Sequence, residues 1–121
     1  MSTQLFCWNV RGFNKYSHRN GFKKWIKVNK PIFGGLIETH VKQSKRKKFV
    51  NELLPDWCFE DNYSFSDLGK IWILWHPSVT VSVVHKSLQM VTCDVTIPGQ
   101  PPFFASIVYA SNYHEDRKDL W

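Results

Sequence analysis

The sequence changes its periodicity at Pro55, and this change restricts the chain to a small set of architectures. Before Pro55, two strand-like apolar runs alternate with two segments whose apolar residues recur at helical spacing. After Pro55, strand-like runs follow one another and are separated only by turn residues. The order β-α-β-α followed by a run of strands predicts a layered α/β or α+β architecture. The 121 residues suffice for one domain at most.

The two helices are predicted from apolar spacing and from proline stop signals. The first covers residues 18–29 and ends before Pro31, and the second covers residues 44–54 and ends before Pro55. The residues at helical spacing, and so predicted to face the core, are Phe22, Trp25, Ile26, Phe49, Val50, Leu53 and Leu54, with Val28 as a further candidate. The candidate N-cap residues of the first helix are Asn14 and Ser17.

Strands are predicted at residues 4–10 and in PIFGGLIET, and then in WCFEDNYS, GKIWILWHP, VTVSVVHKS, LQMVTCDVTIPG and PPFFASIVYASN. VTVSVVHKS alternates apolar and polar residues, as a half-covered antiparallel strand does. A third helix is predicted to begin in YHEDRKDLW and to have only started at Trp121. We therefore expect residues 1–121 to be the N-terminal part of a larger domain.

Composition indicates a folded chain with a preference for polyanions. With 43% hydrophobic and 16% aromatic residues the chain can bury a core, which argues against a disordered tail. The formal net charge of +6 favours polyanionic partners, most simply nucleic acid. The sequence lacks a signal peptide and an apolar run long enough to cross a bilayer, so we expect an intracellular protein, nuclear or cytoplasmic, that is not secreted.

The three cysteines do not indicate a disulfide framework or a zinc site. Cys7, Cys58 and Cys93 are widely spaced and form no CxxC pair. Because all three lie in strand-like apolar runs, they are expected to act as small hydrophobic residues.

Polar residues end three of the apolar strands. Glu38 follows GGLI, at a position where a carboxylate of an open α/β sheet faces the ligand crevice and can coordinate Mg²⁺. Asn9 ends the first strand and can contact a phosphate or hold that carboxylate. Tyr109 and Asn112 end SIVYASN and can position a phosphodiester. The alternatives are an exposed Glu38 paired with a lysine, a turn at Asn9, and capping or packing at Tyr109 and Asn112.

A basic cluster lies at the start of the second helix and consists of Lys42, Lys45, Arg46, Lys47 and Lys48. Such a cluster is most simply a solvated helix face. It can also contact a DNA backbone, because each neutralised phosphate releases counterions, or act as a nuclear-localisation patch.

The three strand endings together resemble the endonuclease/exonuclease/phosphatase superfamily, the DNase I-like fold. The resemblance is strongest to the N-terminal endonuclease domain of plant LINE-type non-LTR retrotransposons. It is carried by CWNVRGF, KPIFGGLIETHV, GKIWILWHPSVTVSVVHKSLQMVTC and SIVYASNYHEDRKDLW, and so covers nearly the whole chain. It implies the N-terminal half of a DNase I-like four-layer α/β sandwich, with a mixed sheet and flanking helices.

The resemblance also implies residue roles and a reaction. Glu38 matches the family's metal-binding glutamate, Asn9 its strand-end asparagine near metal and phosphate, and Tyr109 and Asn112 the pair beside the scissile phosphate. The implied reaction is phosphodiester hydrolysis by a metal-activated water with Mg²⁺ or Mn²⁺, and it would nick target DNA. No small-molecule cofactor is implied.

The sequence departs from the family's pattern in two respects. Some members have an aspartate two positions after the strand-end asparagine, where this chain has Arg11, a residue that could bind a phosphate instead. The family's later GD-x-N and SDH segments, which supply catalytic Asp, Asn and His residues, do not occur in this sequence. His40 is a candidate residue at the rim of the site.

The sequence supports three hypotheses. The first is that the chain is part of a metal-dependent DNA endonuclease domain and has little or no nuclease activity by itself. The second is a basic nucleic-acid-binding remnant that does not cut DNA. The third is a retroelement fragment without a stable function.

Overall fold

The computed structural model describes residues 4–65 and 70–110, which form seven strands, two α-helices and one 3₁₀ turn. The elements in chain order are β1 (Leu5–Asn9), α1 (Tyr16–Asn29), β2 (Phe33–Ile37), a 3₁₀ turn (Gln43–Lys45), α2 (Arg46–Leu53), β3 (Cys58–Asp61), β4 (Ile71–Trp75), β5 (Thr80–Lys86), β6 (Met90–Thr96) and β7 (Phe103–Val108). The predicted element order and α/β class are confirmed. The third helix predicted in YHEDRKDLW lies outside the described residues.

The strands form two sheets. The first is mixed, with the order β1-β2-β4-β3, and the second is antiparallel, with the order β5-β6-β7. In the first sheet β1 and β2 run parallel, and Asn9 pairs with Ile37. Since β4 runs antiparallel to β2, with Ile37 opposite Ile71, β4 starts where β2 ends. The last residues of β1 and β2 and the first residues of β4 therefore lie together at one end of the strands of this sheet.

Strand β4 shows how the layers stack. Its residues Ile71 and Ile73 pack against the second sheet, whereas Trp72 and Leu74 pack against the helices, and all four are at most 1% exposed. A continuous apolar run such as IWILW is typical of a strand that is covered on both faces. The helices thus cover one face of the first sheet and the second sheet covers the other. This arrangement is part of an α/β sandwich, as predicted.

Two consecutive glycines in β2 allow close packing on both of its faces. A Cβ atom at Gly34 would lie 2.4 Å from the Phe6 ring, and one at Gly35 would lie 2.7 Å from the Ile107 side chain. Real Cβ atoms do not approach that closely, so Phe6 of β1 and Ile107 of β7 occupy the space that two side chains would need. The glycines in KPIFGGLIETH are therefore explained by packing.

The N-cap of α1 differs from the prediction. The helix begins at Tyr16 after Lys15, whose extended backbone provides the N-cap position without a side-chain hydrogen bond. Ser17 lies inside the first turn, and the Asn14 side-chain amide donates instead to the His40 carbonyl, at 3.2 Å. Tertiary contacts of the preceding loop, rather than a local cap, set where this helix starts.

All three cysteines are free thiols in strands, but the prediction that they act as small buried hydrophobic residues is confirmed only for Cys93, which is fully buried between the sheets. Cys7 in β1 and Cys58 in β3 are exposed. These two strands form the edges of the first sheet, and the second sheet contacts the first mainly through the central β4. An apolar run does not reveal which of its residues remain uncovered at an edge.

None of the helices in residues 4–65 and 70–110 is long and apolar enough to cross a bilayer.

Candidate functional site

The loops that follow β1 and β2 are held together by backbone hydrogen bonds. The Val10 amide donates to the Ile37 carbonyl at 2.9 Å, and the Gly12 amide donates to the Glu38 carbonyl at 2.8 Å. Gly12 has φ +98°, and this backbone conformation, which favours glycine, explains the glycine in WNVRG. Residues 10–14 and 38–41, which we call the paired loops, therefore extend the parallel pairing of their strands beyond the sheet.

Helix α1 fastens the first of the paired loops. The His18 ring donates through Nδ1 to the Gly12 carbonyl at 2.8 Å, because a carbonyl oxygen can only accept. The Arg19 guanidinium donates to the Phe13 carbonyl at 2.6 Å. These two contacts fix the backbone next to the end of β1, so the side chains that project from it are held in defined positions.

A pocket of about 500 Å³ opens where the strands end. It is lined by Asn9, Arg11, Ile37, Glu38, His40, Tyr109 and Ala110. Tyr109 reaches this edge because its amide donates to the Gln89 carbonyl at 2.8 Å, just beyond the pairing of β7 with β6. The structure thus brings the predicted amide, carboxylate and phenol to one pocket. Asn112 lies outside the described residues.

Three residues of the pocket have a backbone conformation that non-glycine residues rarely adopt. The φ angles are +53° at Arg11, +57° at Glu38 and +56° at His40. A left-handed conformation of this kind costs a non-glycine residue about 1–3 kcal/mol. Strain of this size persists where the surrounding structure imposes it, and it clusters at functional sites. The paired loops therefore hold three side chains of the pocket at a cost in stability.

Lys70 is a residue of this site that sequence reasoning did not select. Its carbonyl accepts from the Glu38 amide at 2.9 Å, and its Nζ lies 5.0 Å from the centroid of the Tyr109 ring. The ammonium group and the ring form a cation–π contact. Lys70 immediately precedes β4, and it reaches the site through the antiparallel pairing of β4 with β2, which the sequence pattern does not show.

Two linked, buried hydrogen bonds support the second of the paired loops, residues 38–41. The Tyr63 hydroxyl donates to the Val41 carbonyl at 2.5 Å and accepts from the Trp72 indole at 3.2 Å. Both Tyr63 and Val41 are buried. Burial raises the pKa of Tyr63, so its hydroxyl keeps the proton that it donates. The loop that carries Glu38 and His40 is thereby anchored to β4.

The donor set of the pocket suits a hard divalent cation. Mg²⁺ is usually held by one or two carboxylates, with waters and substrate phosphates completing the coordination. The pocket offers the Glu38 carboxylate and the Asn9 amide oxygen, which also accepts from the Arg11 backbone amide at 3.2 Å. Within residues 4–65 and 70–110, no cluster of three or more His, Cys, Asp or Glu side chains is arranged to hold a metal ion.

The basic cluster divides into two kinds of residue. Lys42 and Lys45 lie just before α2 and Lys47 and Lys48 lie in its first turn, and all four are exposed. Arg46 instead forms an ion pair with Asp61 at 3.1 Å, and its guanidinium lies 5.5 Å from the centroid of the Tyr63 ring. Arg46 therefore ties α2 to β3 and to the tyrosine that anchors the paired loops.

Comparison with solved structures identifies the fold. A crystal structure of humanized D. rerio TDP2 superimposes with a TM-score of 0.67 and 16% sequence identity, over 95% of this chain and 53% of that chain. An endonuclease/exonuclease/phosphatase family protein from Leptotrichia buccalis superimposes with a TM-score of 0.53 and 9% identity, over 93% of this chain and 56% of that chain. The chain has the endonuclease/exonuclease/phosphatase fold.

The likeness to these two structures concerns the fold alone. The chain spans about half the length of each of them. No protein-family model and no curated protein sequence matches the chain. The fold prediction is therefore confirmed, and support for an activity has to come from the chemistry of the pocket.

Proposed function

We propose that this chain provides the N-terminal part of a metal-dependent phosphodiesterase site that acts on DNA, in an endonuclease domain of LINE-type retroelement origin. The observation that carries the proposal is the pocket in which Asn9, Glu38 and Tyr109 meet. The left-handed conformation of Glu38 supports it, because a carboxylate occupies a position where glycine would be less strained.

Each side chain of the pocket has a role in this proposal. Glu38 and Asn9 would hold Mg²⁺ or Mn²⁺, which when bound stabilises negative charge on a phosphate and acidifies a water molecule. Arg11 would bind a phosphate oxygen through its exposed guanidinium. Tyr109 would donate a hydrogen bond from its hydroxyl to another phosphate oxygen, with its ring held against Lys70.

The same proposal includes a limit on activity. The sequence contains neither a GD-x-N nor an SDH segment, so this chain does not supply the further Asp, Asn and His residues that the resemblance implies. We expect it to bind DNA and a metal ion but to nick little or no plasmid DNA. The superfamily resemblance rests on WNVRG, LIETH and VYASN, and the LINE origin rests on the middle block with its Trp-rich segment IWILW. A reading frame that joins this sequence to GD-x-N, SDH and reverse-transcriptase segments would support that origin.

The decisive experiment compares the wild-type chain with Glu38→Gln, which removes the charge but keeps the size of the side chain. In the wild type, Mn²⁺ should broaden the NMR resonances of Asn9 and Glu38, and Mg²⁺ should increase the affinity for DNA. In Glu38→Gln both effects should be lost, while affinity in EDTA should rise because a carboxylate no longer repels the phosphates.

Two outcomes would change the proposal. Mn²⁺ broadening that is the same in both proteins would remove the metal site from this pocket. Plasmid nicking by the wild type that Glu38→Gln abolishes would keep the site but show that the chain is active, contrary to our expectation.

A second candidate function is nucleic-acid binding without catalysis, and the lysines at the start of α2 favour it. Because binding that is dominated by phosphate contacts weakens steeply with salt, mobility shifts at several salt concentrations measure it. The triple variant Lys45→Ala, Lys47→Ala, Lys48→Ala should reduce the slope of log affinity against log salt by about 2–3 on B-DNA. A slope that the triple variant does not alter would exclude these lysines from the interface.

A further inference from the structure

A second cavity adjoins the pocket at Glu38. It has a volume of about 310 Å³ and lies between the end of β1 and the first turns of α1. Its lining residues are Trp8, Asn9, Val10, Arg11, Ser17, His18 and Gly21. Asn9 and Arg11 also line the first pocket, so these two residues separate two neighbouring cavities and contribute to both.

Gly21 is the unexpected member of this lining. It lies inside the fourteen-residue helix α1, where glycine weakens a helix relative to alanine. Unlike Gly12, it has no positive φ angle, and a Cβ atom built on it would meet no atom within 4 Å. Packing against another element therefore does not require glycine here, as it does at Gly34 and Gly35. The absence of a side chain at Gly21 leaves open space at the mouth of the cavity.

The remaining lining residues have the chemistry to bind a nucleotide. The Trp8 ring makes edge contacts with Phe22 and Trp25, at 5.5 Å between centroids in each case, and these contacts hold the indole in place. Aromatic rings of this kind bind bases by stacking, with little dependence on sequence. Trp8 is only partly buried, so part of the indole remains available to a ligand.

The polar groups of the cavity are suited to a phosphate. Arg11 and Ser17 are exposed and offer a guanidinium and a hydroxyl as donors. The Nδ1 atom of His18 donates to the Gly12 carbonyl, so Nε2 of the neutral ring is an acceptor and can receive a hydrogen bond from a base or a sugar rather than bind the phosphate. A guanidinium and a hydroxyl beside an indole match a phosphate with its base.

We propose that this cavity is a second subsite, which takes the unpaired nucleotide next to the phosphodiester bound at Glu38. Gly21 is the specificity-determining residue, because its missing side chain leaves room for that nucleotide. The inference rests on the proposed function and deepens it: the strand crosses Arg11, and the base beside the bound phosphate is out of the duplex. Single-stranded or frayed DNA is then preferred over a closed duplex of the same length.

The test compares three substitutions on α1. Gly21→Leu fills the cavity, Gly21→Ala fills it partly, and Val28→Leu adds bulk at a position that is 79% exposed and outside the cavity. Both substitutions of Gly21 increase helix propensity, so the melting temperature of Gly21→Ala should rise by about 3 °C. Loss of binding in these variants would therefore not reflect loss of the fold.

The probe is a single-stranded thymidine tetranucleotide with Mg²⁺, followed by NMR and fluorescence anisotropy. It should shift the resonances of the Trp8 indole and the Gly21 amide together with those of Glu38 and His40. Gly21→Leu should bind it about tenfold more weakly, a loss within the range of one stacked base. Gly21→Ala should show a smaller loss, and Val28→Leu should show none.

The possible failures can be told apart. Shifts at Glu38 and His40 without shifts at Trp8 and Gly21, or equal affinity of Gly21→Leu and wild type, would overturn the second subsite alone. The absence of shifts at all four residues would overturn the proposed function together with it. A closed duplex that binds as tightly as the single strand would also overturn the subsite.

Discussion

Strand β2 has glycine where a side chain would collide with its neighbours, whereas the loop after it has side chains where glycine would be less strained. In the strand, Gly34 and Gly35 occupy positions where any side chain would collide with Phe6 or Ile107. Beyond the strand, Glu38 and His40 adopt left-handed conformations that glycine would adopt with less strain. The strand interior is thus optimised for packing. The loop keeps side chains that the backbone disfavours, which is typical of a site with a function.

The strongest test of this contrast is Gly34→Ala. The new methyl group would lie 2.4 Å from the Phe6 ring, which Phe22 and Trp25 confine. We expect a loss of about 3 kcal/mol in the free energy of unfolding, measured by urea denaturation. The matched control is Gly21→Ala, the same substitution at an open position, which should increase stability. A loss below about 1 kcal/mol at Gly34 would show that β1 can move away and that the packing is looser than we infer.

Tyr63→Phe tests the anchor between the core and the paired loops. Removing the hydroxyl leaves the buried Val41 carbonyl and the Trp72 indole without this partner. We expect a loss of about 2 kcal/mol in the free energy of unfolding. Faster hydrogen exchange at the amides of residues 38–41 should accompany it. A change confined to global stability, with unaltered exchange in the loop, would contradict the anchoring role.

The pH dependence of the free energy of unfolding tests whether Cys93 is buried between the two sheets. Burial raises the pKa of the Cys93 thiol to about 11, from 9.0 in the unfolded chain. The unfolded chain therefore releases this proton first, and stability is lost as the pH rises from 9 towards 11. At about pH 10 the loss from this group is about 1.4 kcal/mol. Denaturation at about pH 8 and about pH 10 should show it, and Cys93→Ala should reduce the difference between the two conditions by that amount.

The smallest expected effect comes from relieving strain at the rim of the site. Arg11→Gly should increase the free energy of unfolding by about 0.5 kcal/mol, the net of relieved left-handed strain and the greater freedom of glycine when unfolded. Lys30→Gly is the control, because Lys30 has φ +47° at the C-cap of α1 and lies outside the pocket. Both variants should gain stability, but only Arg11→Gly should lose affinity for DNA. Equal DNA affinity in the two variants would remove Arg11 from the binding surface.

Most of the fold could be predicted from the sequence, because its elements carry strong local signals. The run IWILW is apolar at every position, as a strand buried on both faces must be, and Pro55 separates the part in which strands and helices alternate from the run of strands that follows. The ends of the strands were predictable for the same reason: Asn9, Glu38 and Tyr109 are polar or amphipathic residues directly after apolar runs. Their residue types were sufficient to suggest a common site.

The features that could not be predicted depend on contacts between distant parts of the chain. Lys70 belongs to the site only because β4 pairs antiparallel with β2, and Arg46 is held by Asp61 of β3, an element that the sequence pattern does not connect to α2. The exposure of Cys7 and Cys58 results from the position of their strands at the edges of a sheet. Local sequence encodes secondary structure and side-chain chemistry. Strand order, coverage of faces and backbone strain arise when the layers pack, and these decided which polar groups meet.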